Sequence, residues 1–354
     1  MTTQPVPILR GMSFGYLAKR GYYSSPQGLA QVELMAERGV TSVALMASVM
    51  QETFHSTRLY QDFHFTPSDY ELEKIIDRFH ARGISVMLKP MVECADSSWR
   101  GNINFPDDNQ QIQGRRTDYW DPWFRSLRES VEHYGRLAQR TGCEHYCIGC
   151  ELLNAEQPVH SKRWEPVVEA AREVYRGILG YDSMPQTLEL PEIPAWYRLL
   201  DEICVSYYIS AAQRPGVSVE EMVANLKPSV LHLRQLAKKV NKPIIFGEAG
   251  CRSVSGGAIV PSEYRTSGAY DAKEQANYAE AMCRSFWEEP WWGGLYWWKW
   301  DEQQNRPHYE IDPAGSTGWT VLGKPAEAVL RRWFERPERR EESLAKTASV
   351  AGRL

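Results

Sequence analysis

Residues 143–151 read C-E-H-Y-C-I-G-C-E. Two incompatible readings compete for this stretch. Cys143, Cys147 and Cys150 stand at the C-x3-C-x2-C spacing of an iron–sulfur cluster site. Alternatively the stretch is a mostly apolar β-strand whose last residue, Glu151, is delivered to the strand's C-terminal end. The geometry of a strand favours the second. Along it Cys143 and Cys147 share one face and Cys150 points to the other, whereas three ligands of one cluster must converge, which calls for a loop. The radical S-adenosylmethionine enzymes that use this spacing also carry it at the first strand of their barrel, and here three strand-like segments come first. The cysteines therefore read as small core hydrophobes.

Outward from this strand, apolar runs of strand length alternate with segments of helical period. Upstream, the strands are expected at residues 9–16, 41–49 and 84–92. Between them, Leu29, Val32, Met35 and Ala36 mark a helix that stops at Gly39. Ser68 and Glu71 form a capping box for another, carrying Leu72, Ile75, Ile76 and Phe79 on one side. A long helix over residues 123–140 leads into the fourth strand. Downstream, a helix is expected over residues 164–179 and a weakly marked fifth strand within residues 184–190, M-P-Q-T-L-E-L. The sixth strand is expected at residues 202–209 and a helix over 218–240. The seventh strand follows at 242–249, then a helix capped by Asp271 and Glu274. The eighth strand is expected at 293–300, and Lys324-Pro325 opens the last helix. Eight strands, each followed by a helix, predict an α/β fold: a (β/α)8 barrel forming one domain over residues 1–335. A doubly wound open sheet is the runner-up. It would call for a Gly-rich phosphate turn, and no G-x-G-x-x-G follows the first strand. Residues 336–354, charged and without a sustained apolar face, read as a disordered tail.

Composition narrows the function. Of 354 residues 43% are hydrophobic and 24% charged, as in a globular protein. A net charge of −4 offers no basic field for nucleic acid. No apolar run approaches the roughly 20 residues of a membrane span. The opening M-T-T-Q-P-V-P-I-L-R lacks the pattern of a secretory signal, and seven cysteines, an odd number, read as reduced thiols. A cytoplasmic protein is expected. The 13 Trp and 18 Tyr cluster near the ends of apolar runs. Such rings are core or interface residues in general, and they also stack on the apolar face of a sugar.

In a (β/α)8 barrel the active site lies at the C-terminal ends of the strands. Those ends yield Lys89, Glu93, Glu151, Asn154, Tyr208, Glu248, Trp298 and Trp300. Glu151 closes the fourth strand and Glu248 the seventh, so the barrel brings both into one mouth. A carboxylate at an apolar strand end is costly to desolvate unless it is paired or used. Two that face each other are what glycoside hydrolysis with retention requires, one as nucleophile and one as acid and base. Solvated or salt-bridged glutamate is the commoner case, and the pair alone does not decide between them.

The local motifs resemble those of glycoside hydrolase family 113 within clan A, whose characterised members are β-mannanases. L-K-P (88–90) closes the third strand and W-R-G (99–101) follows it. R-T-G-C-E-H-Y-C-I-G-C-E carries Glu151, and I-I-F-G-E-A-G-C carries Glu248. The likeness runs from Arg10 to Phe334. It implies Glu151 as acid/base, Glu248 as nucleophile, Tyr208 as the tyrosine that hydrogen-bonds the nucleophile, and Trp298 as the floor under the reacting sugar. Lys89, Glu93, Trp99, Arg100, Asn154, Trp298 and Trp300 then form the expected substrate-binding set. The implied activity is hydrolysis of β-1,4-mannosidic bonds in an oligosaccharide or polysaccharide, with no cofactor and no metal. Two departures stand out. Cys150 precedes Glu151 where many clan A enzymes have asparagine, and Y-D-S-M-P-Q-T-L-E-L (181–190) matches no pattern of the family, which leaves the sugar itself open.

Three other readings compete. Another clan A glycosidase would share the glutamates but bind a different sugar. Lys89 could be a Schiff-base lysine of an aldolase, which leaves the paired glutamates unexplained. A non-catalytic sugar-binding barrel should have lost one glutamate. The eight histidines show no H-E-x-x-H spacing for a metal, and no G-x-S-x-G marks a serine hydrolase.

Overall fold

The computed structural model of the protein describes residues 8–106, 118–265, 267–300 and 313–337. Eight parallel strands close on themselves in sequence order: β1 (Leu9–Phe14), β2 (Ser42–Gln51), β3 (Ser85–Cys94), β4 (His145–Cys150), β5 (Ile178–Ser183), β6 (Ile203–Ser206), β7 (Ile244–Ala249) and β8 (Trp292–Trp297). The helices of the outer ring are α1 (Pro26–Glu37), α2 (Asp69–Ala81), α3 (Trp120–Thr141), α4 (Ser161–Val174), α6 (Val219–Val240), α7 (Ala272–Phe286) and α8 (Pro325–Phe334), with only a short α5 (Pro185–Leu188) after β5. The expected (β/α)8 barrel is the fold.

Local signals behave as their chemistry requires. Ser68 and Glu71 form the reciprocal capping box of α2, and Glu71 also accepts the backbone N–H of Gly21 in the loop after β1. Asp271 caps α7 through the N–H of Glu274, and Pro325 takes the first turn of α8. Residues 338–354, most of the expected tail, and residues 1–7 at the start of the chain lie outside the described residues. Arg336, placed at the head of that tail, pairs with Glu288 at 2.9 Å and its carbonyl accepts from Arg10.

The fifth strand is a correction. It is β5, at Ile178–Ser183, and not within residues 184–190, where Pro185 instead starts the short α5. The helix expected to reach residue 179 ends at Val174. Two features hide this strand. Ile178 and Leu179 continue the helical period of α4, and Gly180 interrupts the apolar run. That glycine sits where the sheet is crowded: a Cβ there would lie 3.1 Å from the Glu202 side chain and 3.3 Å from Cys204 Sγ.

Inside the barrel the side chains form layers. Ala44, Met87, Cys147, Cys204, Ile245 and Tyr296 fill one, and Met46, Met91, Cys150 and Trp298 another, bordered by Tyr16, Tyr208 and Trp319. Outside, Trp164 of α4 is buried against β5. Its indole stacks on Trp196 at 4.2 Å and meets the edge of Tyr181 at 5.2 Å, while Nε1 donates to Ala155 O. Trp164→Ala is expected to lower stability by about 3–5 kcal/mol through the cavity it leaves. Urea unfolding should show a lower midpoint at unchanged slope.

Candidate active site

The three cysteines of residues 143–151 do not converge. Cys143 lies in the outer core, Cys147 in one interior layer and Cys150 in the other. The strict alternation expected of β4 fails here. A register shift between Cys147 and Cys150 in the β4–β5 pairing turns both thiols into the barrel, although their odd spacing would set them on opposite faces.

That irregularity ends at Glu151. Its φ is +52°, a left-handed conformation costing about 1–2 kcal/mol for a residue with a Cβ, and its N–H donates to Asp182 O at 2.9 Å. Such strain persists where the surroundings over-determine it, and active sites are where it collects. Arg100 Nη1 reaches Glu151 Oε2 at 2.8 Å and Trp99 Nε1 reaches the same oxygen at 3.3 Å. Arg100 also pairs with Glu93 and donates through Nε to Val92 O at 3.0 Å. Burial and the facing Glu248 carboxylate push Glu151 up, against the pull of Arg100. Glu93 is raised by burial in the same way, opposed by Arg100.

Glu248 sits differently. In the β6–β7 pairing a second register shift sets Ser206 opposite Glu248 and leaves Gly247 over. A Cβ at Gly247 would lie 2.5 Å from Asp182 Oδ2, so only glycine lets β7 pass this carboxylate. Tyr208, just beyond β6, donates its hydroxyl to Glu248 Oε2 at 2.9 Å. Lys89 Nζ lies 2.8 Å from Glu248 Oε1 and 2.5 Å from Asp182 Oδ2, and the Cys150 thiol is 3.4 Å from the same Glu248 oxygen. Burial pulls Lys89 down, but the carboxylates of Asp182 and Glu248 outweigh it and hold the ammonium above its usual range. A Schiff-base lysine needs the reverse, a neutral amine. One ammonium between two buried acids compensates them incompletely, and Asp182 is pushed up to about 6 by burial against Lys89.

The aromatic wall is built on Trp298, beyond β8. Tyr16 meets its ring edge-on at 5.0 Å, and Lys299 Nζ lies 5.8 Å from the Trp298 ring centre. Trp99 is half-exposed beside Glu151.

Most of the sequence-predicted residues therefore gather at one mouth: Glu93, Trp99, Arg100, Glu151, Tyr208, Glu248 and Trp298. Asn154 joins its rim through Nδ2, which donates to Gly101 O at 3.0 Å. Two do not belong to a substrate-facing set. Lys89 is 0% exposed, because its side chain turns inward to the acids below the mouth. Trp300 is also 0% exposed. β8 ends at Trp297, and the Trp300 indole faces outward to α1, donating to Gln31 Oε1 at 3.0 Å. Asp182 and Tyr16 were missed. Misplacing the fifth strand concealed Asp182, for which an acid closing the run I-L-G-Y was the available signal.

Among the described residues the one cluster with metal-ligand geometry is Cys150, Asp182 and Glu248, whose ligand atoms lie within 4.8 Å of one another. The Lys89 ammonium already lies within hydrogen-bond distance of both carboxylates there, and a second cation would be repelled.

Glutamates at the ends of the fourth and seventh strands of a closed (β/α)8 barrel, with a tyrosine on one of them, are the arrangement of the clan A glycoside hydrolases. Within that clan the chain belongs to glycoside hydrolase family 113, whose model matches residues 12–324. It is similar to a solved GH113 β-1,4-mannanase at 30% identity and TM-score 0.80, covering 93% of this chain and 99% of that one. The β-mannanase AaManA from Alicyclobacillus acidocaldarius, solved in complex with ManMIm, is also 30% identical, with TM-score 0.79 over 93% of this chain and 97% of that one. A Faecalibacterium prausnitzii β-glucuronidase, 15% identical with TM-score 0.59 over 95% of this chain and 51% of its own, shares the fold alone. No curated protein matches the chain. A carbohydrate substrate fits the family. Among the described residues no helix is long and apolar enough to cross a membrane.

All seven cysteines are buried and free, and burial pushes Cys143 and Cys147 up to about 12. Thiols raised in this way stay protonated at pH 8 and are poor nucleophiles. Ellman's reagent should therefore leave the native protein unlabelled and titrate all seven thiols after unfolding. Rapid native labelling of Cys150 would mean that solvent reaches below the mouth.

Proposed function

We propose that this protein is a retaining β-glycosidase that hydrolyses β-1,4-mannosidic bonds in mannan or manno-oligosaccharides, with Glu248 as nucleophile and Glu151 as acid and base. The observation that carries this reading is the unequal setting of the two glutamates. Glu248 accepts from the Lys89 ammonium at 2.8 Å and from the Tyr208 phenol at 2.9 Å. Glu151 is buried opposite a like charge and raised, which suits a group that must hold a proton at rest. The sugar rests on the β-1,4-mannanases among the solved relatives.

In the first step a Glu248 oxygen attacks the anomeric carbon as the bond to the leaving sugar breaks. Glu151 gives its proton to the departing oxygen. The sugar is then an ester of Glu248. In the second step Glu151 takes a proton from water, the hydroxyl adds to the same carbon, and Glu248 leaves as a carboxylate. Trp298 is the floor beneath the reacting ring, and Trp99 and Arg100 orient Glu151 from the side.

Azide distinguishes the two roles. Glu248→Gly should lose activity by many orders of magnitude and, with azide, give the α-glycosyl azide. Glu151→Ala should still form the glycosyl-enzyme from dinitrophenyl glycosides, then stall, and azide should release the β product. The opposite anomers would exchange the roles, and normal turnover by either variant would exclude the mechanism. Trp298→Ala should lower kcat/KM by orders of magnitude in a protein that stays folded.

The pH profile follows from the direction of the Glu151 shift. An acid catalyst must be protonated, so kcat/KM falls as pH rises through its pKa. Arg100 pulls that pKa down, and Arg100→Met is expected to move the basic limb to higher pH. An unchanged limb would show that another group sets it.

A further inference from the structure

We infer that Asp182 is a positioning residue for the reaction: it anchors Lys89 and gives it a counter-charge while Glu248, the proposed nucleophile, loses its own. This rests on the reading of Glu248 as nucleophile and goes beyond it. Asp182 is fully buried below the mouth. It was not among the residues that the sequence or the family likeness brought forward.

The argument starts from charge. Lys89 Nζ lies between Asp182 Oδ2 at 2.5 Å and Glu248 Oε1 at 2.8 Å, with a weaker contact to Gly247 O at 3.4 Å. In the free enzyme the ammonium answers both acids. When Glu248 becomes a glycosyl ester its charge disappears, and Lys89 would be left as a buried cation with nothing opposite, a costly state. Asp182 is the acid that remains. When the ester is cleaved the carboxylate of Glu248 returns to an ammonium that has not moved. The second oxygen of Asp182, Oδ1, is buried without a hydrogen-bond partner, so the side chain is held through Oδ2 alone, by Lys89 and, at 3.7 Å, by the Cys150 thiol. A mere structural tie would more naturally satisfy both oxygens.

Several other groups face this cluster. Cys147, Cys150 and Glu151 come from β4 and its end, and Cys204 and Tyr208 from β6 and beyond. Glu93 and Arg100 lie above on the β3 side, Tyr16 past β1 and Lys299 past β8. None stands in for Lys89, since Arg100 is engaged by Glu93 and Glu151, and Lys299 lies over the Tyr16 and Trp298 rings.

Two neutralising variants therefore act in opposite directions on the acid limb of kcat/KM, which reports the group that must be ionised in the free enzyme. Lys89→Met leaves two buried carboxylates facing each other, and the acid limb should rise by about one pH unit or more. Asp182→Asn, of the same shape, removes the like charge, and the limb should move to lower pH. The double variant Lys89→Met/Asp182→Asn should bring the limb back towards wild type. The profiles are measured with an aryl β-glycoside that the wild type cleaves. In parallel, the 2-deoxy-2-fluoro glycosyl fluoride of the same sugar series labels the wild-type enzyme, and peptide mapping locates the label. Label on Glu248 with opposite limb shifts supports the inference. Label on Glu248 with limbs that stay fixed while activity falls at every pH overturns it and leaves the nucleophile reading intact. Label on another residue overturns both. Should Lys89→Met fail to fold, Asp182→Asn alone decides: a limb unmoved or raised defeats the inference.

Discussion

The ammonium of Lys89, buried between the carboxylates of Asp182 and Glu248, is the constraint around which the upper barrel is arranged. An isolated charge in such a place would be neutralised or expelled. Three strands are therefore committed to one electrostatic knot: β3 carries the cation, β5 and β7 the anions. The backbone yields to it as well. β7 gives up a side chain at Gly247 so that Asp182 can approach, and β4 slips register so that Glu151 can hang from the Asp182 carbonyl. Asp182 thus serves the site twice, through its carboxylate on Lys89 and its carbonyl on the backbone of Glu151.

Above the knot stands a second cation with a different task. Arg100 spreads its guanidinium over Glu93, Glu151 and the Val92 carbonyl, with the Tyr16 ring 5.8 Å away. Its planar fork can hold several acceptors at once, which the point charge of a lysine could not. The two cations divide the mouth. Lys89 answers a carboxylate from below, hidden from solvent, while Arg100 reaches Glu151 from the loop after β3, where substrate can arrive. Two glutamates of identical chemistry are set apart by which cation each faces and how deeply it is buried.

Much of this was legible in the sequence because its signals were local. The strand ends carrying Glu151 and Glu248 followed clear apolar runs, and caps such as Ser68 with Glu71 marked helix starts within a few residues. What escaped depended on distant partners. β5 contains a glycine crowded by Glu202, just before the next strand, and Cys204 on it, so its own letters read as the tail of a helix. Asp182 went with it. Trp300 looked like a mouth residue because β8 was extended by three positions beyond Trp297, and the direction of its indole is fixed by Gln31 on α1. The inward turn of both Cys147 and Cys150 needed a bulge that strict alternation does not foresee. Lys89 read as a substrate-binding residue at its strand end, and only the positions of two acids on other strands reveal that its side chain turns inward.

Gly247 ties its fate to that of Asp182. Because an added Cβ at 247 would meet both carboxylate oxygens and the carboxyl carbon of Asp182 within 2.7 Å, no side chain fits there while the acid remains. In any lineage of related barrels position 247 can leave glycine only where the acid at 182 is gone: a shorter residue at 182 frees room at 247, and a larger one at 247 is incompatible with the acid. An alignment deep enough to follow both should show correlated substitution, with glycine at 247 wherever aspartate stands at 182. The reverse dependence is looser, since glycine tolerates any neighbour. Such one-sided coupling would mark, from sequences alone, which relatives retain the buried ion pair and which have replaced it.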